Sequence, residues 1–217
     1  MIKHFAANTA GRDFVVGDIH GCFRKLEAEL AVIGFDPELD RLFSVGDLVD
    51  RGPDSELAVE WLEKPWFHAV RGNHEQMAID AAAGNIDAGC YIYNGGAWFL
   101  AQTRPEQRRI ADAFDALPIA IEVETSGGLV GIVHADCPFD SWRKLAAELE
   151  GHRSYAVSEA CVWSRARISN KDESVISDVA LVFVGHTPVT KPVVLGNVHY
   201  IDTGAVFGKA LTIMQIN

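Results

Sequence analysis

Cysteine is scarce and scattered in this chain. Its 217 residues include four, Cys22, Cys90, Cys137 and Cys161, and no C-x-x-C pair. That spacing argues against a thiolate zinc site or a disulfide framework. Free, buried or half-buried thiols are the expectation. Positive charge is also in short supply. Nineteen Lys and Arg stand against 30 Asp and Glu, a net charge of −11. This argues against nucleic-acid or anionic-membrane binding, which needs a basic face. A phosphorylated substrate stays open, because bound cations can reverse the sign locally. No apolar run approaches the roughly 20 residues of a membrane span. The N-terminus lacks the apolar core of a secretion signal, so a cytoplasmic location is expected. There is no repeat, low-complexity tract or linker.

Hydrophobic residues make up 48% and charged residues 23%, the balance of a globular chain. We read residues 1–217 as one domain with a helical insertion at about 75–117. The apolar pattern predicts strands at 2–6 and 13–17, joined by a polar turn over Ala7 to Arg12. A helix follows, with Phe23, Leu26, Leu30 and Ile33 at helical spacing. The next strands cover 42–46 and 67–70, each followed by a helix, at about 55–64 and up to about Ala83. Gly84, Gly89, Gly95 and Gly96 then break a segment rich in aromatics, among them Tyr91, Tyr93, Trp98 and Phe99. These aromatics are read chiefly as core. A helix at 105–116 closes the segment. A hairpin over 119–133 turns at Ser126-Gly127-Gly128. Helices are expected at about 140–150 and 156–167, a strand at 180–184, and a terminal meander of 193–195, 198–201 and 211–216.

The stretch Gly46-Asp47-Leu48-Val49-Asp50-Arg51-Gly52 stands out. It places two carboxylates and a guanidinium at the end of an apolar strand, which is costly unless the charge is used. Bound cations with Asp47 between them, and an anion held by Arg51, would use it. Four more apolar runs end in polar signatures: Asp18 with His20, Asn73 with His74, His134, and His186. Groups just past the carboxyl ends of strands in α/β sheets converge in one crevice. Oxygen and imidazole donors without sulfur suit Mn²⁺, Fe or Zn²⁺. Asp18, His20 and Asp47 would serve one ion; Asp47, Asn73, His134 and His186 would serve the other. The remaining histidines, His4, His68, His152 and His199, have no such context and are assigned no role.

With Gly17-Asp18-Ile19-His20-Gly21, the 46–52 motif, Gly72-Asn73-His74-Glu75, His134 and Gly185-His186 in this order, the chain resembles the PPP family of metal-dependent phosphoprotein phosphatases. The resemblance covers nearly the whole chain. It extends furthest toward the bacteriophage lambda protein phosphatase and its bacterial relatives, through stretches such as 66–77, 134–136 and 200–207. It implies a calcineurin-like metallophosphoesterase fold, an α/β/β/α sandwich of two packed β-sheets flanked by helices. It implies two divalent ions, often Mn²⁺, and hydrolysis of phosphate monoesters on phosphoproteins by a metal-bridging hydroxide. Phosphoserine and phosphothreonine are the expected substrates, with phosphotyrosine open. His74 would be the general acid and Asp50 its partner. Arg51 and Arg165 would clamp the phosphate, while Arg71 and Arg167 would be structural. The C-terminal segments on which eukaryotic members bind regulatory subunits are missing, which points to a free-standing monomer. A dinucleoside tetraphosphate hydrolase of the same fold is the alternative, but those relatives typically carry another residue in place of Asp50.

Overall fold

A computed structural model describes residues 1–151 and 155–217. His152 lies outside the described residues. Two sheets form the centre. The six-stranded sheet contains β1 (Ile2–Phe5), β5 (Ala120–Thr125), β6 (Gly128–Val133), β7 (Leu181–Val184), β8 (Val193–Leu195) and β9 (Val198–Tyr200), in the order β1-β5-β6-β7-β9-β8. The four-stranded sheet contains β2 (Asp13–Val16), β3 (Arg41–Ser44), β4 (Phe67–Ala69) and β10 (Ile213–Gln215), in the order β10-β2-β3-β4.

Strand alternation sorts the core into three layers. Val15, Phe43, Ile121, Val123, Ile132 and Phe183 point between the sheets and form a common middle layer. Their neighbours Phe14, Val16 and Leu42 face outward. There they pack with residues of α1 (Phe23–Val32), α2 (Ala58–Leu62), α3 (Asn73–Ala83) and α6 (Arg104–Asp115). On the other side Val133, Val182 and Val184 pack with Trp142, Leu145 and Leu149 of α7 (Trp142–Gly151) and with Cys161 and Val162 of α8 (Tyr155–Trp163). The result is the expected α/β/β/α sandwich.

Two local expectations change, those for the terminal meander and for the helix over 156–167, and the polar turn after β1 gains a role. Residues 7–12 connect two sheets: β1 pairs in parallel with β5, while β2 pairs with β3 and β10. All four β2 residues are buried whereas β1 is half exposed; a strand buried on both faces belongs inside a sheet. The terminal meander is likewise split. β8 and β9 pair, but β10 crosses to β2. The helix expected over 156–167 is two helices, α8 and α9 (Ala166–Asn170), broken at Ser164-Arg165. Asp136 draws the chain in at the break, accepting from Ser164 Oγ at 3.4 Å and from the Arg167 N–H at 3.3 Å. Cys137 and Cys161 are buried, Cys22 is half-buried, Cys90 is exposed, and all four are free thiols. None of the described helices is long and apolar enough to cross a membrane.

Candidate active site

β2, β3 and β4 run parallel in one sheet, and β6 and β7 run parallel in the other. Their carboxyl ends meet where the two sheets pack. Asp18 and His20 follow β2, Asp47 follows β3, and Asn73 and His74 open α3 after β4. His134 follows β6 and His186 follows β7. All seven side chains are buried. The loops that deliver them bend sharply. His20, Asp47, Asp50, Arg51 and His186 have φ between 44° and 71°, and they are five of seven such non-glycine residues among those described. Left-handed backbone in L residues is costly and concentrates at sites where the surroundings enforce it.

Two glycines of the motifs are explained by close approach. A Cβ on Gly185 would lie 1.9 Å from Asp18 Oδ1, and one on Gly72 would lie 2.3 Å from Asp47 Oδ1. Both carboxylates therefore rest against bare backbone. Asp18 also accepts the His186 N–H at 3.1 and 3.2 Å, and Asp47 accepts the His74 N–H at 3.0 Å.

The imidazoles are oriented by carbonyl oxygens. His20 Nδ1 lies 2.8 Å from Val49 O, His134 Nδ1 2.7 Å from Val45 O, and His186 Nε2 3.1 Å from Trp163 O. A carbonyl only accepts, so the proton sits on that nitrogen and the opposite nitrogen turns a lone pair to the centre. For His134 and His186 it meets more acceptors there. Asn73 Oδ1 stands 3.0 Å from His134 Nε2 and 2.8 Å from His186 Nδ1, and Asp47 Oδ1 stands 3.3 Å from His134 Nε2. Lone pairs facing lone pairs at this distance call for a cation between them. Two groups of donors within 4.8 Å of one another fit that need, and Asp47 belongs to both: His20, Asp47 and His74, and Asp47, His134 and His186. Asn73 adjoins the second group. In the first, His74 stands where Asp18 was expected, but its Nδ1 is taken by Asp50 at 2.6 Å.

The charges agree with this reading. Burial, then Asp202 and Asp47, push the Asp18 carboxyl well above the usual carboxylate range. Burial, then Asp47, push Glu75 up to about 7. Burial holds His20 and His186 down to about 3, with the charges of His134 and, more weakly, Arg165 adding at His186. Both are neutral imidazoles, the form that binds metal. His134 is the exception in the metal-free chain: burial opposes its charge, but the Asp47 carboxylate, 3.3 Å from its Nε2, outweighs burial and raises that ring, so a proton competes there for the place a cation would take. Divalent ions fit the donor set and would supply the countercharge these acids need.

Asp50 is fully buried beside His74, whereas the neighbouring Arg51 is exposed and its guanidinium reaches His20 Nε2 at 2.7 Å. Arg165 is exposed at the break between α8 and α9. Arg71 is tied to Gln76 and Asp115, and buried Arg167 to Asp136 and the Ser174 carbonyl, as structural arginines would be.

Sequence reasoning passed over Glu75 and Asp202. Glu75 sits inside the Gly72–Glu75 motif, and its carboxylate takes backbone N–H groups. Asp202 follows β9 (Val198–Tyr200), and this strand too runs into a polar residue just past its end, as the other five do, which is the signal that points to it. It is buried and its carboxyl is raised by burial and by Asp47.

Comparison with known proteins agrees with this geometry. The family model for calcineurin-like phosphoesterases matches residues 14–190. The chain is a calcineurin-like phosphoesterase. Serine/threonine-protein phosphatase 1 of Salmonella typhimurium is 42% identical over 208 residues, covering 94% of this phosphoesterase and 91% of the relative. A bis(5'-nucleosyl)-tetraphosphatase of Geobacillus thermodenitrificans is 28% identical over 220 residues, covering 93% and 89%. Among solved structures, a cold-active protein tyrosine phosphatase superposes with a TM-score of 0.67 at 15% identity, covering all of this phosphoesterase and 76% of that chain. That likeness concerns the fold alone. The phosphoesterase is thus a metal-dependent phosphatase, and its His and Asp cluster suits divalent metal ions.

Proposed function

We propose that this phosphoesterase hydrolyses phosphate monoesters on phosphoproteins, at phosphoserine and phosphothreonine. The observation that carries the reading is the buried Asp50–His74 pair, 2.6 Å apart beside the donor cluster. A serine or threonine alkoxide is a poor leaving group and needs a proton; this pair is built to hold one. The similarity to a serine/threonine-protein phosphatase over nearly the full length of both chains supports the same substrate class.

Asp18, His20 and Asp47 would hold one ion, and Asp47, Asn73, His134 and His186 the other. Oxygen and imidazole donors suit Mn²⁺, Fe or Zn²⁺, and the resemblance to the metal-dependent phosphoprotein phosphatases favours Mn²⁺ among them. When bound, two such ions lower the pKa of a water and neutralise charge on the phosphoryl oxygens. The chain's own residues do the rest. Asp50 accepts from His74 Nδ1 and fixes the ring. His74 Nε2, 3.9 Å from Asp47 Oδ2, faces the reacting centre and delivers the proton to the departing oxygen. Arg51 and Arg165 bind the phosphoryl oxygens, for which a planar guanidinium offers paired donors.

The test is metal-stripped protein reconstituted ion by ion and assayed on phosphoserine, phosphothreonine and phosphotyrosine peptides and on dinucleoside tetraphosphates. Metal-dependent turnover of the first two, highest with Mn²⁺, is expected. Preference for the dinucleotides would replace this reading with the tetraphosphatase one.

A further inference from the structure

The Asp50 carboxylate has a second oxygen that the proposed chemistry leaves unused. Oδ2 serves His74, whereas Oδ1 lies 2.6 Å from Trp98 Nε1 and 3.3 Å from the Tyr91 hydroxyl. Both donors come from the glycine-broken segment, Tyr91 from α4 (Ala88–Tyr93) and Trp98 from α5 (Ala97–Leu100). A fully buried carboxylate with one partner is costly, and one with three donors is held in place.

The same segment also braces Arg51. Gly95 has φ +102°, and a Cβ there would lie 2.5 Å from Arg51 N and 2.9 Å from Arg51 Cγ. A Cβ on Gly96 would lie 2.3 Å from the Tyr91 ring. The Gly95-Gly96 turn therefore lies flat between Arg51 and Tyr91. Asp50 and Arg51 are consecutive left-handed residues, with φ 71° and 69°, and such a pair persists only when its neighbours fix it.

We propose that Trp98, assisted by Tyr91, is a positioning residue for proton transfer. It locks the Asp50 carboxylate in the orientation that aims His74 at the leaving group. The inference rests on the reading of His74 as proton donor. Without the indole N–H, Oδ1 keeps only the longer Tyr91 contact, Asp50 is free to rotate, and His74 loses its aim. The damage then depends on how much the leaving group needs the proton. A serine alkoxide needs it; a p-nitrophenolate hardly does. A general structural defect would slow both.

The experiment uses the full chain loaded with Mn²⁺ and compares Trp98→Phe, Tyr91→Phe, Asp50→Asn, His74→Asn and the double variant Asp50→Asn/Trp98→Phe. kcat and KM are measured on a phosphoserine peptide and on p-nitrophenyl phosphate, together with metal content. Trp98→Phe is expected to lower kcat on the peptide roughly tenfold and on p-nitrophenyl phosphate less than about threefold. KM and metal content hold, and the change adds nothing in the Asp50→Asn background. Tyr91→Phe, which removes one hydroxyl, shows the same pattern at smaller size and serves if Trp98→Phe folds poorly. Equal slowing on both substrates, or an undiminished effect in the Asp50→Asn background, overturns the inference. If His74→Asn discriminates between leaving groups and neither aromatic variant does, the inference alone fails. If His74→Asn itself does not discriminate, the underlying reading fails with it.

Discussion

Glu75 holds Asp47 by its backbone. Oε2 of Glu75 accepts the Asp47 N–H at 2.9 Å, together with the Gly72 N–H at 2.8 Å, and Oε1 accepts the Leu48 N–H at 2.8 Å. Glu75 is the third residue of α3, so one carboxylate closes that helix N-terminus and seats the left-handed Asp47 at the end of β3. It ties two strand ends together from behind the donor cluster.

Glu75→Gln should therefore disturb Asp47 without touching any donor atom. An amide NH₂ must face one of the backbone N–H groups, leaving a buried donor unpaired. A loss of about 1–3 kcal/mol is expected, read by denaturant unfolding of metal-free protein. Weaker metal retention on dialysis should accompany it. An unchanged midpoint would show that the three hydrogen bonds contribute little.

Gly185→Ala should damage the site through Asp18. The added methyl would stand 1.9 Å from Asp18 Oδ1 and 2.6 Å from Val45 Cγ2, so the carboxylate or the loop must move. Overpacking of this kind costs roughly 1–3 kcal/mol, and elemental analysis should show reduced metal. Full metal content at wild-type stability would mean the loop shifts freely.

His74→Asn should cut kcat on phosphoserine peptides by roughly 10²–10⁴ while metal content holds. Arg51→Ala should instead raise KM and weaken inhibition by inorganic phosphate. Steady-state kinetics with phosphate as inhibitor separates the two. An Arg51→Ala enzyme inhibited normally by phosphate would remove Arg51 from the clamp.

Acid should destabilise the metal-free protein through His186. Its ring titrates at about 3 when folded, against an ordinary 6.5. Between those values the unfolded chain binds a proton that the native state does not. Stability therefore falls as pH drops from 6.5 toward 3, by about 1.4 kcal/mol per pH unit for this group. His186→Asn removes that proton from the linkage, so its stability–pH slope in this window should be shallower by one proton. Equal slopes in urea titrations at a series of pH values would contradict a neutral buried His186.

The chain by itself determined the list of strand ends. Apolar runs closing on Asp18, Asp47, Asn73, His134 and His186 are visible because a buried strand must be apolar, whereas the loop beyond its last residue is free to be polar. Reading those ends as one crevice needed only the rule that parallel strands gather their carboxyl ends. Tertiary structure alone decided the partition of the strands between two sheets. Residues 2–5 and 13–16 both read as short strands, and only pairing with β5 or with β3 and β10 places them in different sheets. It also decided what surrounds each donor. The hydrogen bonds from Trp98 to Asp50 and from the Asp47 N–H to Glu75 join residues 48 and 28 positions apart. No local period or propensity encodes such distances; they arise when buried charge must find its donors inside the packed core.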